Sequence, residues 1–401
     1  MKQLFILFLS LGIFLQTFAQ SNCTRYANII FPDFTETTVT YSTSQGGVAG
    51  NLLMDIYTPN GDTYNKRPFV MLAHGGSFTG GDRNADNAVT LTCEALVKRG
   101  YVCASIDYRL TTFANLLDSL KMIETVMKAV SDSKAALRYM YQNADTWGVD
   151  TTRFFVGGNS AGSILAVHEA YLDATDNVPA YIMNKITANG VFDGNSGNPG
   201  ITPAVKAVIN YAGGISKLEW INTGDVPMIS FHGTADQVVP YNCGNVYANY
   251  GIDLVDLCGS NAMHTRCAAV SVFNPFTSYQ GAGHTPWNSN TTMMNAVIDS
   301  TVQFLLNYVD CNVSGIGSIS GVSQLQIFPN PASHSINIHI KGNEIKDLLL
   351  TINDINGKTI QSINAEMKNT LDLSNLSTGI YMILLKNTKT GELMQQKFIK
   401  Q

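Results

Sequence analysis

The sequence predicts an α/β architecture, a mostly parallel sheet flanked by helices, followed by a small all-β sandwich. Three observations predict it. From about residue 38 to 310, short apolar segments alternate with segments patterned at helical spacing, the signature of a parallel sheet covered on both faces. At Cys311 the composition shifts to the Gly/Ser-rich stretch CNVSGIGSISGVSQ, which reads as a linker. Beyond it, SINIHI, LLLTIND, GIYMILL and QQKFIK alternate apolar and polar positions between turns rich in Asn, Gly and Asp, as an antiparallel sandwich requires.

The elements follow in order. Residues 1–19 carry a lysine at position 2, an apolar run from Leu4 to Leu15 and the small residue Ala19, the pattern of a secretory signal peptide. The run is too short to span a bilayer comfortably, so a mature chain without a transmembrane segment is expected. Residues 20–311 form the main domain, 312–325 the linker and 326–401 the sandwich. Leu53–Tyr57, Phe69–Ala73, Val102–Ile106, Arg153–Val156, Val205–Asn210 and Met228–Phe231 read as strands. Val89, Cys93, Leu96 and Val97 mark one helix, which Gly100 ends. Ile123, Val126, Val130, Leu137 and Met140 mark a long one; Ser163–Leu172 and the region around Val297–Leu305 supply two more. Residues 173–203, including DGNSGNPG, are long and polar for a connection and are expected to form a cap or pocket wall. Asp193, Asn195 and Gly197 offer too few ligands for a calcium loop.

The formal net charge is −5, with no long basic run, which argues against nucleic acid as a partner. Export permits disulfides, and all seven cysteines follow residue 19. Cys258 and Cys267 flank a loop and form one candidate bridge; Cys23 and Cys311 flank the main domain and form another. Cys93 and Cys103 read as core thiols. An odd number leaves at least one unpaired. No C-x-x-C or H-E-x-x-H occurs, so no zinc site is expected.

The chemistry centres on FFVGGNSAGSILAVHEA. Gly157 to Gly162 fits G-x-x-x-x-G, but Ser163 and Ile164 stand where a phosphate-binding loop needs Lys and then Ser or Thr. Gly158–Gly162 also fits G-x-S-x-G. A serine projecting from a strained strand-to-helix turn needs small neighbours, and here a strand precedes the motif and a helix follows. Ser160 is therefore the candidate nucleophile. It needs a base and an orienting acid. Of the seven histidines, His334 and His339 belong to the sandwich and His168 to the helix after Ser160. His74 opens a different loop, His264 lies on a helix surface and His232 ends a strand as a packed residue. His284, in the glycine-rich loop QGAGHTPW, remains as the base. Asp236, in SFHGTADQVVP, sits just past a strand and is the candidate acid, with Asp253 and Asp256 as weaker alternatives. Ser, Asp, His is also the chain order that G-x-S-x-G hydrolases use. MLAHGGSFTGG follows another strand; the N–H groups of Gly76 and Ser77, with Gly75 as a further contributor, would join that of Ala161 in an oxyanion hole. Phe78, Trp287 and segment 173–203 are expected to line the acyl or alcohol pocket.

Together His74-Gly75-Gly76-Ser77-Phe78, Asp107-Tyr108-Arg109-Leu110, SDSKAALRYMYQNADTWGVDTTRFFVGGNSAG, HGTAD and GAGH resemble the α/β-hydrolase superfamily, within it the carboxylesterases and feruloyl- or acetyl-xylan-esterase-like hydrolases. The resemblance implies a carboxylic-ester hydrolase acting through Ser160, Asp236 and His284 without a cofactor, on short-chain or polysaccharide-linked acyl esters. Two departures stand out: Ser77 replaces a third glycine, where the N–H alone matters, and Asn159 fills a position often acidic. A lipase, a polyester depolymerase or a serine peptidase would use the same machinery, and a silent binding protein could keep the fold. FPNPASHSINI, the turn at Asn353–Gly357 and LSTGIYMILLKN resemble the type A C-terminal sorting domain of type IX secretion. That implies the secretion machinery as partner, passage through the periplasm and a location at the cell surface or outside; the other reading of the sandwich is an accessory carbohydrate-binding or adhesive module.

Overall fold

The computed structural model describes residues 24–43, 51–246, 255–309, 322–342, 346–354, 359–366, 368–389 and 393–401. Expectations for the signal peptide, Cys23, Asp253, Cys311, residues 312–321 of the linker and the turn residues 355–357 fall outside them. The chain divides into two compact units at Cys311/Asn312.

In the first unit, eight strands form one sheet: β1 (Phe34–Thr43), β2 (Asn51–Pro59), β3 (Arg67–Ala73), β4 (Val102–Ile106), β5 (Val149–Asn159), β6 (Val205–Tyr211), β8 (Met228–Gly233) and β11 (Phe276–Tyr279). Their order is β1-β2-β4-β3-β5-β6-β8-β11. β1 and β2 pair antiparallel, as do β2 and β4; every pairing from β4 to β11 is parallel. The parallel strands have no alternation in sequence because both faces are covered. Phe69 and Met71 pack with the helices α2 (Ser119–Gln142) and α3 (Ala161–Tyr171) on one face. Val70 and Leu72 pack with α1 (Asn87–Val97) and α6 (Thr291–Leu305) on the other. Helix starts are fixed by side-chain caps: Asp86 accepts from Ala88 N–H, Asp118 from Leu120 and Lys121 N–H, and Asn290 from Met293 N–H. Each such cap is worth about 1 kcal/mol.

Because β3, β5, β8 and β11 run parallel, the loops that leave their carboxyl ends meet at one edge. The register is close: Ala73 pairs with Gly158, Asn159 with Tyr211, Tyr211 with Phe231, and Tyr279 with Gly233.

Two expectations change here. Segment 173–203 is more ordered than a polar loop: it carries α4 (Ala180–Ala188) and a 3₁₀ turn, Val191–Asp193. The stretch read as DGNSGNPG is pinned by buried arginines. The Arg138 guanidinium donates to the carbonyls of Asp193 (2.6 Å), Gly197 (2.8 Å) and Asn198 (2.7 Å). Arg109, bound to Asp132, donates to Ser196 Oγ at 2.6 Å. The second change is the disulfide. Cys258 bonds Cys243, not Cys267, because the short strands β9 (Cys243–Asn245) and β10 (Asp256–Gly259) place those two residues directly opposite each other. β10 also pairs with β7 (Gly214–Ile215). Cys267 is a buried thiol on α5 (Ser260–Ala269); Cys93 and Cys103 are buried thiols as well.

The second unit adds β12 (Val322–Phe328), β13 (Ser335–Gly342), β14 (Leu348–Asn353), β15 (Thr359–Asn364), β16 (Lys368–Asp372), β17 (Gly379–Asn387) and β18 (Leu393–Lys400), in two antiparallel sheets ordered β12-β13-β16 and β15-β14-β17-β18. Alternate residues Ile336, Ile338 and Ile340 of β13 meet Leu350 and Ile352 of β14 and Ile383 and Leu385 of β17 in one core, which is the period-2 pattern made physical.

Candidate active site

Ser160 stands between β5 and α3 at φ 54°, ψ −115°, a conformation that costs a non-glycine residue about 1–3 kcal/mol. Its neighbours explain how the turn closes. A Cβ on Gly158 would lie 2.4 Å from the Gly162 backbone, and one on Gly162 only 2.0 Å from the Ala73 carbonyl. Strand, turn and helix therefore pack closer than any side chain allows. The Ser160 N–H donates to the Tyr211 carbonyl at 2.8 Å, which ties the turn to β6.

His284 arrives from the loop after β11. Its Nε2 lies 2.7 Å from Ser160 Oγ and its Nδ1 2.7 Å from Asp236 Oδ2. Asp236 arrives from the loop after β8, and its Oδ1 accepts the N–H groups of Val238 (2.8 Å) and Val239 (3.0 Å). Burial pushes the Asp236 carboxyl up, but hydrogen bonds from His232 and His284 outweigh it and hold the group well below the usual carboxylate range. The structure thus brings Ser160, Asp236 and His284 together. Asp256, the weaker alternative acid, lies on β10 and is exposed.

The HGGSF loop leaves β3 beside them. His74 is buried, stacked on Tyr108 at 4.3 Å, and receives the Tyr108 hydroxyl on its carbonyl at 2.8 Å. Burial lowers the pKa of its imidazole. Gly76 adopts φ 117°, and a Cβ there would sit 2.1 Å from the Gly80 carbonyl; Ser77 and Phe78 follow at φ 54° and 59°. This run of left-handed residues turns the loop back over the sheet edge. Gly75, Gly76, Ser77, Asn159, Ser160 and His284 line a cavity of about 440 Å³, and Ala161 opens α3 directly after Ser160.

Three expectations need correction. The Gly75 N–H is committed to Asp86 Oδ2 at 2.8 Å, so it does not face the cavity as an oxyanion donor. Trp287 is 1% exposed and packs among Tyr211, Phe231 and Tyr279. Its indole N–H donates to Asn159 Oδ1 at 3.2 Å, the partner a buried tryptophan needs, so it supports the serine turn from behind instead of lining the pocket. Phe78 is buried too, against Tyr108. It borders a different cavity of about 320 Å³, together with Ile123, Val126, Ile164, Ile182 and Trp220. Ile182 brings segment 173–203 into that wall.

Two of the remaining histidines bond to other parts of the fold. His168 is buried in α3 between the Ile164 carbonyl and Ser216, and burial lowers its pKa to about 4. His264 donates to the Asn274 carbonyl and is half-buried. His232 is the residue that sequence reasoning passed over: its Nε2 is 3.1 Å from Asp236 Oδ2. Asp86 was passed over as well. Its carboxylate holds Gly75 N–H, Ala88 N–H and Asn159 Nδ2, which links the HGGSF loop to the serine turn. Among the described residues no group of three or more His, Cys, Asp or Glu side chains could hold a metal ion, and no helix is long and apolar enough to cross a membrane.

This strand order, with a serine on the turn after β5 and the other two residues on later loops at the same edge, defines an α/β-hydrolase fold joined to a small β domain. Residues 54–219 match the BD-FAE family, and residues 326–401 match the secretion system C-terminal sorting domain. An AB hydrolase superfamily protein of Schizosaccharomyces pombe is 32% identical over 100 residues, covering 25% of this chain and 26% of that protein. The chain thus aligns with about a quarter of the length of that curated relative. Among solved structures, the apo form of Thermogutta terrifontis esterase 2 is 20% identical with a TM-score of 0.48, covering 69% of this chain and 96% of the other. The butyrate-bound form of Est2 from the same organism is 19% identical with a TM-score of 0.49, covering 70% and 95%.

Proposed function

We propose that the protein is an exported serine esterase that hydrolyses carboxylic esters through an acyl-enzyme. Ser160 attacks the ester carbonyl while His284 takes its proton. Asp236 orients His284 and stabilises its charged form. The N–H groups of Gly76, Ser77 and Ala161 hold the developing oxyanion, the alcohol leaves with the proton returned by His284, and water repeats the sequence to release the acid. No metal or organic cofactor enters the reaction. The observation that carries the reading is the unbroken pair of 2.7 Å contacts from Ser160 to His284 to Asp236. The sorting domain supports delivery by type IX secretion to the cell surface or outside.

The substrates proposed are short-chain or polysaccharide-linked acyl esters. Turnover of a nitrophenyl ester series should peak at short acyl chains, and a peak at long chains would move the reading to a lipase. The apolar cavity bordered by Phe78 and Ile164 is the feature that favours that second reading. Ser160→Ala should reduce turnover to background, a loss of about 10⁶-fold in kcat; undiminished turnover would remove Ser160 from the mechanism.

A further inference from the structure

Behind Asp236 lies a buried polar chain that the triad chemistry does not require. His232, Ser260, Asn210, Ser230 and Ser163 are each fully buried, so every hydrogen-bonding group among them needs a partner. The directions of the bonds follow from one backbone donor. The Gly213 N–H donates to Asn210 Oδ1 at 2.9 Å, which fixes the orientation of that amide. The same oxygen accepts from Ser163 Oγ at 2.6 Å. The Asn210 Nδ2 hydrogens therefore go to Ser230 Oγ at 3.0 Å and Ser260 Oγ at 3.1 Å. Ser260 keeps its hydroxyl hydrogen for His232 Nδ1, 2.8 Å away. On the other side of the ring, Nε2 faces two acceptors, Asp236 Oδ2 at 3.1 Å and the Val239 carbonyl at 3.2 Å, so the ring proton belongs on Nε2.

We propose that His232 is a positioning residue for the reaction: as the Nε2–H tautomer it shares Asp236 Oδ2 with His284, and the Ser163–Asn210–Ser260 chain locks that tautomer. The chain begins on α3, one turn past Ser160, and ends on the carboxylate that orients the base. It thereby couples the nucleophile helix to the acid loop through the sheet. His232 also withdraws part of the carboxylate charge from His284. Without that donor the charge of Asp236 falls more fully on the His284 N–H, and the imidazolium form of His284 is favoured. The groups in contact with His232 are Asp236, the Val239 carbonyl and the Tyr241 ring at 5.8 Å from the loop after β8, with Ser260 from α5. None of them adds a cation that could replace the lost donor.

This inference rests on the esterase reading, and the experiment separates the two. Full-length wild type, His232→Phe and His232→Gln are compared on one nitrophenyl ester across pH. His232→Phe should lower kcat about tenfold with KM little changed, the order a charge-assisted hydrogen bond supports, and should move the acid limb of kcat/KM to higher pH. Gln can place an N–H where Nε2 stood, so His232→Gln should restore most of kcat and the wild-type limb. A folded His232→Phe whose profile superimposes on wild type, or a His232→Gln as impaired as the Phe variant, overturns the proposal. The ¹⁵N shifts of the wild-type imidazoles give a readout independent of turnover and of variant folding: an Nδ1–H tautomer at His232 overturns it. A wild type that lacks esterase activity altogether, with the Nε2–H tautomer present, would instead count against the esterase reading.

Discussion

Two buried carboxylates in this fold meet opposite fates. Asp236, on the loop after β8, receives two backbone N–H groups on one oxygen and faces two imidazole nitrogens on the other. Glu169, near the end of α3, receives the Ser133 hydroxyl on Oε2, while its Oε1 finds no hydrogen-bond donor among the described residues. Burial works to raise both. At Asp236 the donors win and the group stays ionised. At Glu169 burial wins over Ser133 and the more distant charges of Lys134 and Arg138, and the pKa rises to about 7. The difference teaches that burial alone does not set a carboxylate's state; the number of donors aimed at it does.

The comparison can be broken from either side. The largest effect is expected at Asp236→Asn, which leaves the shape but removes the charge and lets the amide present a donor to His284. A loss of about 10⁴-fold in kcat is the scale for such a change. Kinetics within tenfold of wild type would show that the four contacts do not serve the base. Next is Glu169→Gln. A raised folded pKa means that Glu169 contributes its full stability below about 4.3, the unfolded value, and that this contribution is lost as pH rises through about 7. The amide escapes that loss. Urea unfolding should therefore find Glu169→Gln more stable than wild type above pH 7, by on the order of 4 kcal/mol, with the gap closing toward acid pH. A gap that stays constant with pH would mean that Glu169 is already ionised in the fold.

The smallest expected effect concerns Asp236 and acid. Its folded pKa is depressed, so its contribution is present above about 3.9 and is lost as pH falls below that value. Unfolding followed from pH 5 downward should show a shallower acid loss in Asp236→Asn than in wild type. Parallel curves would mean that the donors around Asp236 do not favour its charged form.

Much of the candidate site was legible because each part follows a strand. HGGSF, GNSAG, HGTAD and GAGH are local strings, and parallel strands deliver their loops to one edge whatever the details of packing. The supporting residues were not legible. Asp86 reaches Asn159 across 73 positions and Trp287 reaches it across 128; nothing in either local string announces the partner. Trp287 was read as a pocket residue because it follows His284 closely in sequence, yet a 3₁₀ turn at Pro286–Ser289 carries it inward. His232 was set aside as a packed strand residue. It is packed, but one residue at a strand end can be both core and neighbour to a carboxylate four positions on.

The cysteines divide in the same way. That export permits a bridge follows from the sequence; that Cys243 is the partner of Cys258 follows from the pairing of β9 with β10. By itself, then, the sequence determined the two-unit organisation, the parallel sheet and the identities of a serine, a histidine and an aspartate on strand-following loops. These depend on periodicity and glycine spacing, which are local. Only the tertiary structure decided which N–H groups face the cavity, which aromatic side chains line it, and that a second histidine stands behind the acid. Those are contacts between distant segments, and hydrogen-bond satisfaction in a buried site is settled only when every neighbour is in place.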